Sequence, residues 1–284
     1  MGALWNPFLD NLFMQRALAA GLLVAIACGI VGTFVVLRGM AFLGDALAHG
    51  VLPGIAAALL LGVPTLAGAA VGAVVMVGGV TLVTRRSRLS ADTAIGLLFV
   101  GMLALGVVIV SRSDTFAGDL ANILFGDVLG TSDGDILVQL AATAAVAAGC
   151  AVCARPFLLL SISPEQAQVA GFRAGRYHAV MLALIAVTIV VSFTTVGTLL
   201  VFGMLLAPAG TGALLARNVT TMAGVAVGAG AASVVAGLLL SYHLDLAAGA
   251  SVVLVAVGLF FAVLAVQAVR GAGHAPRPAH HHPH

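Results

Sequence analysis

The chain has 284 residues, of which 62% are hydrophobic and only 8% charged, with a mean hydropathy of +1.19 and a formal net charge of +2. A soluble domain cannot present so little polar surface to water, and repeated apolar runs of about 20 residues read as transmembrane helices. All 12 basic residues are Arg, so a lysine-based phosphate loop is excluded, and any ATP hydrolysis that drives this chain must occur on another polypeptide.

Residues 1–14 mix Trp5, Phe8, Leu9, Leu12 and Phe13 with Asn and Asp, as an interfacial amphipathic segment does. They lack a basic n-region and a small-residue cleavage site, so the first apolar run, from about Arg16 to Leu37, is expected to be a retained span. Span 2, from about Gly39 to Leu61, contains one carboxylate, Asp45, and one imidazole, His49. Residues four apart lie on one helix face, one turn from each other. Ionisable groups inside a membrane are costly and usually face a partner, a cavity or a transported ion. Pro53, lacking an N–H, leaves the His49 carbonyl without its intrahelical donor. A carboxylate, an imidazole and a freed carbonyl on one side of a helix suit a small divalent cation better than an organic substrate. The same pair also reads as an internal contact that locks helix packing.

Gly62-Val63-Pro64 is a tight turn, span 3 follows to about Thr84, and Arg85-Arg86-Ser87-Arg88 is a basic loop. Ser90 offers a helix cap for span 4, residues 92–111. Residues 112–135 are the longest polar stretch, with Asp114, Asp119, Asp127, Asp133 and Asp135 set against the single Arg112. Span 5 covers about 136–154, and residues 155–177 are polar and basic. Within them Ser163 as N-cap, Pro164 at the first helical position and Gln166 predict a capping box, with Gly171 as the stop. The resulting short helix, 163–171, is either a connector or a surface that a partner motor grips.

The 39 apolar residues 178–216 fit two spans broken near Ser192-Phe-Thr-Thr-Val-Gly197, with Pro208 inside the second. His178 is expected at the headgroup interface. Span 8 covers about 220–241, the linker Tyr242-His243-Leu244-Asp245 follows, and span 9 covers about 246–269. His243 and Asp245 form a weak candidate for an entry site. The tail, residues 271–284, is Pro- and His-rich; His274, His280, His281, His282 and His284 suit zinc collection or a disordered end. Cys28, Cys150 and Cys153 lie in apolar runs and read as inert buried thiols. The small-xxx-small pairs Gly68/Gly72 and Gly224/Gly228 predict close helix approach.

With nine spans and the N-terminus outside, Arg38, Arg85, Arg86, Arg88, Arg155, Arg173, Arg176, Arg217, Arg270 and Arg277 fall inside, and only Arg16 and Arg112 outside. That asymmetry is what the positive-inside rule requires, and it leaves the acidic 112–135 stretch facing the exterior.

Several stretches together resemble the membrane permeases of ABC transporters that import zinc or manganese. They are Phe13-Met-Gln-Arg-Ala17, Val36-Leu-Arg-Gly-Met-Ala-Phe-Leu-Gly-Asp-Ala-Leu-Ala-His-Gly-Val-Leu-Pro-Gly54, Asp92-Thr-Ala-Ile-Gly96, Leu124-Phe-Gly126, Pro164-Glu-Gln-Ala-Gln-Val-Ala-Gly171, Val196-Gly-Thr-Leu-Leu-Val201, Ala207-Pro208-Ala209 and Gly249-Ala-Ser-Val-Val-Leu254. Two positions depart from the family pattern. Ala247-Ala248-Gly249 stands where a Ser-Gly pattern is usual, and Gly39 where a second basic residue is common.

The resemblance implies an all-α polytopic integral membrane protein of about eight to nine transmembrane helices with type II ABC importer permease architecture. It divides the chain into a permease domain, 1–270, and the His-rich tail, 271–284. The implied partners are a second copy of the permease, a cytosolic ATPase dimer that holds the ATP, and an extracytoplasmic metal-binding protein, within membrane lipid and without nucleic acid. Asp45 and His49 fall on positions that line the metal path. Ser163, Pro164, Glu165, Gln166, Ala167 and Gly171 fall on the helix that couples to the ATPase. The implied setting is a bacterial inner membrane, with the C-terminus cytosolic. No cofactor is expected beyond the transported ion; zinc comes first, on the strength of the His-rich tail, and manganese second. The alternatives are a siderophore or cobalamin permease, and a channel or carrier that works without an ATPase.

Overall fold

In the computed structural model, which describes residues 11–111 and 130–272, the regular elements are α-helices. The reason is the apolar surrounding: inside a bilayer a helix satisfies its own backbone donors and acceptors, and an open strand cannot. In chain order they are α1 (Leu12–Leu37), α2 (Ala41–Gly50), α3 (Leu52–Leu61), α4 (Thr65–Arg86), α5 (Ala91–Val110) and α6 (Asp133–Val152). There follow α7 (Ala154–Ile162), α8 (Pro164–Val169), α9 (Ala174–Val196), α10 (Thr198–Leu215), α11 (Val219–Leu244) and α12 (Ala248–Ala272). Among the described residues eight segments are long and apolar enough to cross a membrane, with α2 and α3 counted together, and Leu199–Leu215 is a shorter apolar ninth. The polytopic all-helical architecture expected from the sequence is therefore present.

The boundaries shift where capping overrides composition. The second span is divided at Val51, one residue before the helix whose first turn carries Pro53. Span 5 starts at Asp133 instead of residue 136 because Ser132 and Asp135 form a reciprocal capping box that draws two acidic residues into the first turn. The basic loop is shorter than expected, since α4 continues through Arg86. Residues 155–162, read as polar connection, belong to α7; Phe157 is fully buried there and meets Phe34 edge-on at 5.4 Å. The linker after span 8 is mostly helix: α11 runs through His243 and Leu244, and Asp245 ends it with a left-handed φ of 51°. The break near Ser192–Gly197 falls where predicted, at Gly197, whose φ of 80° and ψ of 165° few side-chain-bearing residues tolerate. The acidic residues Asp114, Asp119 and Asp127, and the whole His-rich tail from residue 273, lie outside the described residues.

Two helix groups build the body. α1 is central, 67% buried, and packs on α10, α11, α6 and α9, while α12 covers α10 and α11 from the outside. The second group is α3, α4 and α5. α2 lies between the groups, touching α5, α10, α9 and α4. Close approach rests on small residues, as expected where lipid removes the hydrophobic drive between helices. A β-carbon on Gly54 would collide with the carbonyl of Gly68, so α3 and α4 touch backbone to backbone there. Gly224 and Gly228, by contrast, face open space within this chain, so that pair does not mark an internal contact.

One polar network ties α6, α9 and α1 together. The Gln139 amide donates to Ser192 Oγ at 3.2 Å and to Thr143 Oγ1 at 3.4 Å. Thr195 Oγ1 donates to the Gln139 carbonyl oxygen at 3.5 Å, and Thr143 Oγ1 to the Leu23 carbonyl at 3.3 Å. All four side chains are buried, and among the described residues no buried side-chain nitrogen or oxygen lacks a partner.

Candidate functional site

α2 is amphipathic in an unusual sense, with one face fixed in protein and the other carrying its two ionisable groups. Leu43, Gly44, Ala46, Leu47, Ala48 and Gly50 are buried. Gly44 lets the helix settle on α10, since a β-carbon there would strike the end of the Leu205 side chain, while Gly50 packs closely beside Met76 of α4. The remaining stripe, Phe42, Asp45 and His49, follows the i, i+3, i+7 spacing of a single helix face. Along it Asp45 Oδ1 and His49 Nε2 stand 3.4 Å apart, and the two side chains are 28% and 29% exposed. The predicted pair thus exists as a one-turn constellation, and it opens away from the protein interior.

The backbone supports the pair from below. The Val51 N–H reaches the Leu47 carbonyl at 3.2 Å and the Ile55 N–H reaches the Val51 carbonyl at 3.0 Å. Pro53 has no N–H to offer the His49 carbonyl, so the helical ladder is interrupted one turn beyond His49. Among the described residues no group of three or more His, Cys, Asp or Glu side chains converges. One chain therefore brings together two side chains capable of ligation at this place, with a carbonyl nearby.

Two aromatic rings near the pair were not apparent from sequence. Phe99 of α5 lies edge-on to His49 with ring centroids 5.8 Å apart, and edge-on to Phe42 at 5.8 Å. No spacing rule connects position 99 with position 49, and only the packing of α5 on α2 brings them together.

At the end of α1, Arg38 turns inward. One guanidinium nitrogen lies 3.3 Å from His178 Nδ1 and 3.5 Å from the Met181 sulfur, and burial lowers its affinity for its proton. His178, near the start of α9, is thereby engaged by a residue at the end of another helix. His243 Nδ1 bonds to the Leu239 carbonyl of its own helix at 2.8 Å, while Asp245 is the left-handed cap. Both serve the end of α11, and no third ligand joins them among the described residues. His274, His280, His281, His282 and His284 lie outside the described residues.

The short helix α8 is delimited at both ends. Ser163 Oγ accepts from the Gln166 N–H at 3.3 Å, and Pro164 occupies the first helical position. The reciprocal half of the predicted capping box is replaced, because the Ser163 N–H is taken by the Leu159 carbonyl of α7 at 2.9 Å. At the other end Gly171, at φ 83°, closes a Schellman motif: its N–H reaches Gln168 and the Phe172 N–H reaches Ala167. Ala167 is buried, Glu165 and Gln166 are exposed, and Val169 is 92% exposed. An apolar side chain so exposed, on a helix fixed at both ends, is suited to meet a partner.

The comparisons with known proteins agree with this architecture along nearly the whole chain. Residues 10–267 match the family described as ABC 3 transport family. The manganese transport system membrane protein MntC of Halalkalibacterium halodurans is 38% identical over 256 residues, covering 90% of this chain and 88% of that protein. The chelated iron transport system membrane protein YfeD of Yersinia pestis is 36% identical over 255 residues, covering 88% and 84%. Among solved structures, PsaBC from Streptococcus pneumoniae in complex with Fab superposes with a TM-score of 0.82 at 32% identity, covering 93% of this chain and 95% of that one. By this extent of agreement the chain is a transport subunit and not an enzyme, and it belongs to the ABC 3 transport family.

Proposed function

We propose that this metal-importer permease carries manganese, along a path lined by Asp45 and His49 from two copies of the chain. The observation that carries the reading is the half-exposed Asp45–His49 pair on a broken span within an otherwise apolar body. Carboxylate oxygen with imidazole nitrogen suits a borderline divalent ion, and two ligands from each of two copies would make four. Sequence chemistry alone ranks zinc first because of the His-rich tail; the names of the relatives reverse that order, and YfeD adds iron as a further candidate. The donor pair itself serves any of the three.

In this reading an extracytoplasmic binding protein delivers the ion, and Asp45 compensates its charge as water is shed. ATP binding and hydrolysis in a cytosolic ATPase dimer then open the path inward. The α8 segment, Ser163 to Gly171, transmits the ATPase movement through exposed Glu165, Gln166 and Val169. The arginine distribution supports an external N-terminus in a bacterial inner membrane. An organic siderophore would need a wider and more neutral route, and an ATPase-independent channel would leave α8 without a task.

The test is manganese, zinc and iron uptake by cells carrying the full complex, comparing wild type with Asp45→Asn and His49→Ala at matched expression. Uptake of the cargo metal is expected to fall on the order of a hundredfold or more, since damage even to the groups that orient a metal ligand costs about 10–100-fold. Uptake equal to wild type in both variants would reduce the pair to a packing contact.

A further inference from the structure

Metal-binding histidines are usually aimed by a hydrogen bond on the ring nitrogen that does not face the metal. His49 has no such bond among the described residues: its polar contact is Asp45 Oδ1 at 3.4 Å, longer than an N–H···O hydrogen bond. An imidazole on a helix turns about two side-chain torsions, and one contact of that length leaves its plane undetermined. What does bear on the plane is Phe99. Its ring meets the imidazole at 5.8 Å with an interplanar angle of 63°, an edge-to-face arrangement. The same ring meets Phe42 at 5.8 Å and 69°. Phe42 and His49 are two turns apart on one face, so Phe99 bridges the turn that holds Asp45. It is itself half-buried in the contact between α5 and α2.

We infer that Phe99 is a positioning residue for His49, holding the imidazole in the plane from which it meets the divalent cargo, in place of the missing hydrogen bond. The inference rests on the path assignment above and extends it. Phe99 touches no ion; it acts through the ring of His49. Phe42 acts as the second wall, keeping Phe99 from swinging away along the helix. An aliphatic side chain at position 99 fills much of the volume but has no edge or face to set the plane.

The experiment is manganese binding by equilibrium dialysis on the purified permease–ATPase complex, with manganese chloride as the probe. The variants are Phe99→Leu, Phe99→Tyr, His49→Ala and the Phe99→Leu/His49→Ala double, each checked for assembly by gel filtration. Phe99→Leu is expected to weaken binding about fivefold, the scale of one aromatic pair, and Phe99→Tyr, which keeps the ring, to bind within about twofold of wild type. Added to His49→Ala, Phe99→Leu is expected to cause no further loss, because the residue through which it acts is gone. Equal weakening by Phe99→Leu in both backgrounds, or wild-type binding by Phe99→Leu while His49→Ala binds weakly, overturns the positioning role and leaves the path intact. Wild-type binding by His49→Ala overturns the path assignment itself.

Discussion

Two polar clusters sit within the apolar body, and they differ in what encloses them. The Gln139–Thr143–Ser192–Thr195 network is buried and each of its groups has a hydrogen-bond partner. The Asp45–His49 pair is more strongly polar, yet it stands on a half-exposed helix face, joined by one contact of 3.4 Å. A satisfied neutral network costs little to bury and fixes three helices relative to each other. A carboxylate and an imidazole held loosely in a span are justified by something that approaches them. If the pair lines the proposed path, the contrast is between a structural and a functional use of polarity, and stability and transport should respond oppositely to the same kind of substitution in the two places.

The largest effects are expected from making each cluster apolar. The double variant Asp45→Leu/His49→Leu should abolish uptake while leaving the assembled complex as heat-stable as wild type, since a partly exposed contact of 3.4 Å contributes little to stability. Gln139→Leu should do the reverse. It leaves Ser192 and Thr195 without their amide partner and should cost about 1–2 kcal/mol, read as a lower melting temperature, with manganese uptake per folded complex retained. Loss of stability in the first variant, or loss of uptake per folded complex in the second, would erase the distinction.

Pro53 offers a sharper cut through the functional cluster alone. Pro53→Ala supplies an N–H to the His49 carbonyl and continues the helical ladder from α2 into α3. Uptake is expected to fall severalfold while the melting temperature stays close to wild type, since a proline in the first turn of a helix costs little and its replacement gains little. Unchanged uptake would mean that neither the freed carbonyl nor the break matters to the ion.

How much of this was legible in the sequence depends on the range of each interaction. Asp45 and His49 could be read because a helix brings i and i+4 together whatever the surrounding fold. The cap at Ser163, the stop at Gly171 and the break at Gly197 were legible for the same local reason. Phe99 against His49, Arg38 against His178, and Gln139 against Ser192 were not, because each joins residues 50 or more positions apart through helix packing. α7 was hidden differently: Arg155 and Ser161 gave its sequence a polar cast, while burial of Phe157 and Leu160 against α1 and α9 decides its conformation. Gly224 and Gly228 show the converse error, where a packing pattern faces outward and finds no partner within the chain.

The smallest effect is expected at a third polar contact, a charged one at the surface, which tests whether charge or enclosure matters. Arg16 and Asp133 approach to 2.7 Å, closer than Asp45 and His49, and they join the start of α1 to the start of α6 across 117 residues of chain. Asp133, however, is 77% exposed and Arg16 34% exposed. Water therefore screens the pair, and exposed ion pairs contribute about 0.2–1 kcal/mol. Arg16→Gln is expected to shift the melting temperature by no more than a degree or two and to leave uptake unchanged, although the contact is the shorter one. Raising the salt concentration should have as little effect on wild-type stability, since the pair is already largely screened. If Arg16→Gln proved as damaging as the changes at Asp45, proximity between charges would be what counts, and the half-exposed setting of the α2 pair would lose its significance as a mark of function.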